Sequence, residues 1–270
     1  MAKPAEPTIV GYVGDQTERA RITGALRGWA LVLWAGALGE LPDLVRRGSE
    51  PPAAAIVAPR DHLGADGSEI VRQLSAIAPA MPVIAHCHTG VEQAAEVRAM
   101  AAAGVHEFLF AGVDDTGVAA RSVFASAQRA CAAAAVNSVV RPLFSERLAE
   151  IAGACLSHPV QARTVAGLAG LLGVHRKTLR NHCVREGALT PAELIAWCRL
   201  MLATHLLAMT GETVEWVALE LEYPSATALR NTMKRYTGLR AGEVIETGGL
   251  ARVADEFARR LQGPAARRQS

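Results

Sequence analysis

The sequence has no Cys-x-x-Cys pair. Its five cysteines, Cys87, Cys131, Cys155, Cys183 and Cys198, are an odd number at irregular spacing. That excludes a fully paired disulfide framework and suits reduced, packed thiols. Residues 9–110 also lack a P-loop, a G-x-G-x-x-G turn and a G-x-S-x-G nucleophile elbow, so an enzyme of those classes has no motif to stand on. The longest apolar runs, such as residues 30–38 and 132–136, read as too short for a bilayer, and residues 1–8 carry neither the basic nor the apolar segment of a secretory signal. No membrane partner and a cytoplasmic location are expected. Strong net charge is missing too, at +2 over 270 residues. That balance hides an asymmetry: 11 basic and 14 acidic residues lie up to Val140, against 17 basic and 12 acidic after it. A basic half joined to an acidic one fits a chain in which one domain meets a polyanion.

Half the residues are apolar, enough to build two ordinary domains. In the first half, short apolar runs alternate with helix-like stretches. Strands are expected at 9–13, 30–34, 53–57, 83–85 and 107–110, and helices at 17–27, 38–46, 69–77, 91–102 and 118–135. Five such repeats predict an α/β domain, a doubly wound five-stranded parallel sheet with its crevice beyond the carboxyl ends of the strands. Another small α/β sandwich is the alternative. Beyond about residue 140 the β-branched runs give way to helical periodicity punctuated by Gly, Pro and Thr. The expected division is residues 1–140, an all-α domain at 141–249, and a helix with a fraying tail at 250–270. The junction falls near Pro142, with the Ala-rich helix before it as a rigid alternative to a loose linker.

Residues 164–183, TVAGLAGLLGVHRKTLRNHC, have the spacing of a helix-turn-helix. Ala169 sits where two helices must touch, Gly173 supplies the turn, and Leu179 packs the second helix back. Val165, Leu168, Leu172 and Val174 complete the inner face, which leaves His175, Arg176, Lys177, Arg180 and Asn181 outward for phosphates and base edges. A plain helical hairpin with a solvated basic face is the alternative. A second copy starts at Thr213. Val214, Val217, Ala218 and Leu221 repeat the pattern, Glu222, Tyr223 and Pro224 make a turn one residue longer, and Leu229 and Met233 face inward. Thr227, Arg230, Asn231, Lys234 and Arg235 lie on or beside the outward face, with Ser225 as N-cap.

Between the copies, Thr190, Pro191 and Glu193 read as a capping-box start to a long helix. Leu194, Trp197, Cys198, Met201 and His205 recur at helical spacing, as do Ile195, Leu202, Leu206 and Met209. Such a helix has apolar contacts on two sides and would fix the separation of the copies, so that both second helices could meet one face of a duplex in major-groove segments about 34 Å apart. Cys198 and His205 read as core or boundary residues.

On these features residues 147–247 resemble the DNA-binding domain of the AraC/XylS family. The resemblance rests on the order of unit, linking helix and unit, on Arg199, Leu200, Ala203, Leu206 and Leu207 in the linking helix, on the longer second turn, and on the closing segment RYTGLRAGEV. The chain departs from the family where Glu222 and Tyr223 replace the usual Gly and Phe, and where a Pro near Arg240 and Ala241 is missing. The resemblance implies that the first unit makes most base contacts while the second contributes chiefly through the backbone. Arg180 and Arg176 suit guanine, Asn181 suits adenine, and Lys177, Lys234 and Arg235 suit phosphates.

The five-repeat order of residues 8–135 resembles a response-regulator receiver domain. The resemblance implies an acidic pair, a phosphorylatable aspartate, a hydroxyl and a lysine at the strand ends. Gly14 and Asp15, Pro59, Cys87 and Ala111 stand at those positions, so only Asp15 survives. Proline has no nucleophilic oxygen, and neither metal nor phosphoryl charge would be held; Asp61, two residues beyond Pro59, is the one alternative acceptor. His86 and His88 invite a metal reading with Asp15, Asp61, His62 and Cys87, but in a strand the two histidines share a side while Cys87 points away. No metal and no cofactor are expected.

The function expected is a sequence-specific, phosphorylation-independent transcription regulator bound to double-stranded promoter DNA. Homodimerisation, another partner or a ligand is the expected business of the receiver-like half, with RNA polymerase as a further candidate partner. An architectural binder, an adaptor that has lost DNA binding, and an enzyme using the α/β crevice are the alternatives.

Overall fold

The computed structural model describes residues 7–47, 52–114, 116–187, 189–210 and 212–266. Two compact units divide the chain between Cys131 and Ala132.

In the first unit, β1 (Thr8–Tyr12), α1 (Gln16–Leu26), β2 (Leu31–Trp34), α2 (Leu41–Arg47), β3 (Ala54–Val57), α3 (Gly67–Ile77), β4 (Val83–Cys87), α4 (Ala94–Ala103), β5 (Glu107–Phe110) and α5 (Gly117–Val140) follow in order. The strands form one sheet in the order β2-β1-β3-β4-β5, parallel throughout, with Gly11 opposite Ile56 and Ile84 opposite Glu107. The central strands β3 and β4 are buried at every residue, which is why they read as unbroken apolar runs instead of alternating ones. Ile22 and Leu26 of α1 and Phe124 and Ala127 of α5 pack on one face of the sheet, over Ile9, Ile56 and Ile84. Leu41 of α2, Ile70 and Leu74 of α3 and Met100 of α4 pack on the other, over Val10, Ala55 and Val57. This is the expected receiver-like architecture, and all ten expected elements are present, β5 at its expected bounds and the other nine with shifted ends.

The second unit is all-helical, with α6 (Glu146–Ser157), α7 (Val165–Leu171), α8 (Arg176–Gly187), α9 (Pro191–Thr210), α10 (Val214–Glu220), α11 (Ala226–Thr237), α12 (Ala241–Glu246) and α13 (Gly249–Ala266). The division lies earlier than residue 141 because Ala132, Ala133, Val136 and Val140, the last turns of α5, belong to the core of this unit. Nor is the region after 249 an appendage. Phe257 of α13 is fully buried, with its ring 5.2 Å from that of Trp197 and 5.5 Å from that of Phe144, and Arg260 pairs with Glu193 at 2.9 Å. The helix continues through the expected fraying point to Ala266; residues 267–270 lie outside the described residues.

The expectation that no apolar stretch could span a bilayer needs correction. Residues Gly117–Leu143 and Pro191–Met209 are long and apolar enough by length and composition, with mean hydropathy 1.2 and 1.3. Isolated residues such as Arg129 and Arg199 break the apolar runs without lowering the average much. Of the second stretch, 67% is buried among its own unit's helices, which makes α9 a core helix. All five cysteines are buried and free.

Candidate nucleic-acid interface

The two helix-turn-helix units are built by the same local rules. Thr164 caps α7 by accepting from the Gly167 N–H at 3.0 Å, and Thr213 caps α10 by accepting from Trp216 at 3.1 Å. Both first helices close identically. The Val174 N–H donates to the Ala169 carbonyl and Gly173 to Gly170; Tyr223 donates to Ala218 and Glu222 to Leu219. Each pair is a Schellman closure, which requires a left-handed residue at the turn. Gly173 meets the requirement at φ 63°, whereas Glu222 adopts φ 49° with a full side chain, the sole non-glycine residue at positive φ among the described residues. Pro224 is the extra residue of the second turn. Then His175 and Ser225 cap the second helices: His175 Nδ1 accepts from the Lys177 N–H at 3.2 Å, and Ser225 Oγ from Ala228 at 3.1 Å. His175 therefore precedes α8 instead of lying within it.

Leu179 and Leu229, each four residues after its cap, are fully buried, as is Met233. Burying them turns the expected residues outward: Arg176, Lys177, Arg180, Asn181, Thr227, Arg230, Asn231, Lys234 and Arg235 are all exposed. The second helices also repeat a Leu-Arg-Asn triplet, Leu179-Arg180-Asn181 and Leu229-Arg230-Asn231. The electrostatics of the units differ, however. α7 and α8 together carry four cations and one anion; α10 and α11 carry three and two. Arg230 is paired with Glu215 at 2.5 Å, and the Glu215 carboxyl is held below its usual range chiefly by that hydrogen bond. Arg180 has no ion-pair partner among the described residues.

What joins the units is α9, entered through the expected capping box: the Thr190 N–H donates to the Glu193 carboxylate at 2.8 Å, and the Glu193 N–H to Thr190 Oγ1 at 3.2 Å. Arg199 on α9 is buried and donates to the Pro159 carbonyl at 2.8 Å and the Leu221 carbonyl at 2.6 Å. Arg163, just before α7, pairs with Glu222 in the second turn. Neither tie is visible in the sequence, since the partners are 22 to 59 residues apart. The missing Pro near Arg240 is replaced by another device, the Arg240 N–H donating to the Glu243 carboxylate at 2.7 Å to start α12.

In the first unit the strand ends carry the expected residues, already engaged. Asp15 caps α1, accepting from Thr17 at 2.6 Å and Glu18 at 3.0 Å, and the backbone N–H groups of Glu18 and Thr17 hold its carboxyl below the ordinary range. Gly14 is exposed, and Pro59 and Ala111 are half-buried. Cys87 points into the core, where burial pushes its thiol up to about 11. Asp61 accepts three backbone N–H bonds, from Leu38 at 3.0 Å and from Leu63 and Ala65 at 2.9 Å each. Burial works against its charged form, but the donors of Ala65, Leu38 and Leu63 outweigh it and keep the carboxyl low. His86 lies buried in β4 and His88 is exposed one residue past the strand's end, and both approach Glu18, at 3.9 and 3.5 Å. Among the described residues no three His, Cys, Asp or Glu side chains are grouped to hold a metal.

Residues 168–247 match the family model described as a helix-turn-helix domain. No curated protein matches the chain. Solved structures similar to it include full-length FixJ from B. japonicum, at 16% identity over 88% of this chain and 98% of that one, with a TM-score of 0.42. A response regulator receiver domain protein from Clostridium thermocellum has 23% identity over 44% and 94%, with a TM-score of 0.36. NtrX from Brucella abortus has 13% identity over 47% of this chain, a TM-score of 0.40, and only 27% of its own length covered. The C-terminal unit thus contains a helix-turn-helix domain over residues 168–247, and the N-terminal unit is a receiver-like α/β fold.

Proposed function

We propose that this chain is a sequence-specific DNA-binding transcription regulator that reads double-stranded promoter DNA with α8 and α11. The observation that supports it best is the repeated Leu-Arg-Asn triplet, its Leu buried in one core and its Arg and Asn outward, on two helices that follow the same Schellman closure. An arginine followed by an asparagine offers bidentate donors to guanine and a donor-acceptor pair to adenine. Lys177, Lys234 and Arg235 neutralise phosphates, which contribute affinity without sequence information. His175 and Ser225, as caps, aim their helix N-termini at the backbone.

Phosphorylation is not the input in this reading. Pro59 occupies the acceptor position, Asp15 is committed to capping α1, and both oxygens of Asp61 accept backbone donors. The receiver-like unit serves instead to pair two copies of the chain, so that a repeated or palindromic site is read with multiplied affinity. RNA polymerase is a further partner of such a regulator, and the cytoplasm is where it would meet DNA; a catalytic role is not part of this reading.

Selection of bound fragments from genomic DNA by the purified chain, against random competitor, tests the proposal. Enrichment of one repeated motif supports it. Retention of all sequences alike favours an architectural binder, and no retention favours an adaptor.

A further inference from the structure

Superposing the two units by their caps pairs Thr164 with Thr213, and therefore Ala166 with Glu215. The second helices pair likewise from His175 and Ser225, so Arg180 and Arg230 both stand five residues after the cap. One difference between otherwise equivalent sites is then electrostatic. In the second unit the first helix places a carboxylate 2.5 Å from the reading arginine; in the first unit the same position holds a methyl group, and Arg180 is unpaired among the described residues.

We infer that Glu215 is a specificity-determining residue that restrains Arg230, so that the second unit reads its half-site with a partly neutralised arginine. This rests on the DNA-reading proposal above. Both members of the pair are well exposed, with 47% and 63% of the side-chain surface free, so the pair opens readily and exerts a graded effect. On docking, Arg230 must exchange Glu215 for a base edge or phosphate. The carboxylate left behind then lies beside the polyanion, where it is repelled. Removing Glu215 abolishes the exchange and the repulsion together. Exposed pairs of this kind correspond to about two- to fivefold in an equilibrium constant.

The test is a double-mutant cycle on the full chain, using E215A, R230A and the double variant. Each is titrated, by fluorescence anisotropy over a range of salt, with a duplex recovered by genomic selection and with a random duplex of equal length. Unaltered melting curves confirm that each variant is folded. E215A is expected to bind the selected duplex about two- to fivefold more tightly, with a salt slope steeper by about one phosphate contact. R230A should cost more in the E215A background than in the unaltered chain. Equal or weaker binding by E215A, or an R230A effect that is the same in both backgrounds, overturns the inference while leaving DNA reading intact. If the unaltered chain does not distinguish the two duplexes, sequence reading itself falls, and this inference with it.

Discussion

The guanidinium carbon of Arg199 lies 4.6 Å from the centre of the Tyr223 ring, in a helix-turn-helix whose left-handed residue, Glu222, is the immediate neighbour. The contact is a cation over an aromatic face, and the same guanidinium binds the carbonyls of Pro159 and Leu221. A buried charge is thus compensated by two backbone dipoles and a ring, and one side chain of α9 ties the loop before the first unit to the turn of the second. Tyr223 replaces the phenylalanine usual in the resembling family, and burial raises its hydroxyl above the ordinary range.

Arg199→Met should therefore destabilise the second unit by about 2 to 4 kcal/mol, because two buried carbonyls lose their donor. Arg199→Lys should rescue little, since one ammonium cannot reproduce the planar fork. Chemical denaturation followed by far-UV circular dichroism measures both; a loss confined to Met, with Lys like the unaltered chain, would show that charge alone matters.

Glu222→Gly should stabilise the fold. The left-handed conformation costs a residue with a Cβ about 1 kcal/mol, and the exposed pair with Arg163 contributes less than that in return. Thermal melts should rise by a few degrees, and a fall would mean that the tie to Arg163 outweighs the backbone strain.

Arg180→Ala should relax sequence preference at a cost of about 1 to 3 kcal/mol on the preferred duplex and little on random DNA. Lys234→Ala should weaken binding to all sequences and lessen the salt slope by about one contact. Titrations of both variants over a salt series separate these effects; equal, sequence-blind losses would undo the assignment of roles.

Acid should weaken the all-helical unit through a buried histidine. His205, on the core helix α9, is held below the ordinary histidine value of 6.5 by burial. The unfolded chain takes up the proton first, so the contribution is intact above pH 6.5 and lost as pH falls through the folded value. His205→Leu should flatten the change in melting temperature of this unit between pH 7.5 and 5.5, read by near-UV circular dichroism. An undiminished change would place the sensitive group elsewhere.

Much of this was legible in the residues because it is periodic or local. Short apolar runs alternating with helix-like stretches marked the strands, and Ala169, Gly173 and Leu179 marked a turn whose hydrogen bonds are all within six residues. Capping by Thr190 and Glu193, and by Ser225, follows from chemistry at fixed short offsets. Contacts set by tertiary packing were hidden. Arg199 reads as one more member of a helical pattern until Pro159 and Leu221 are brought to it. Glu215 and Arg230 lie 15 residues apart on separate helices, so their pairing depends on the angle between those helices. The seating of Phe257 beside Trp197 was hidden for the same reason, and with it the inclusion of α13 in the second unit.

Hydroxyl-radical footprinting of the full chain on a selected genomic fragment tests the central claim most directly. Each copy of the chain should protect two segments on one face of the duplex, about one helical turn apart, and Arg180→Ala should erase the first while Arg230→Ala thins the second. A single short protected segment, or protection spread evenly along the fragment, would contradict a pair of reading helices held at a set distance by α9.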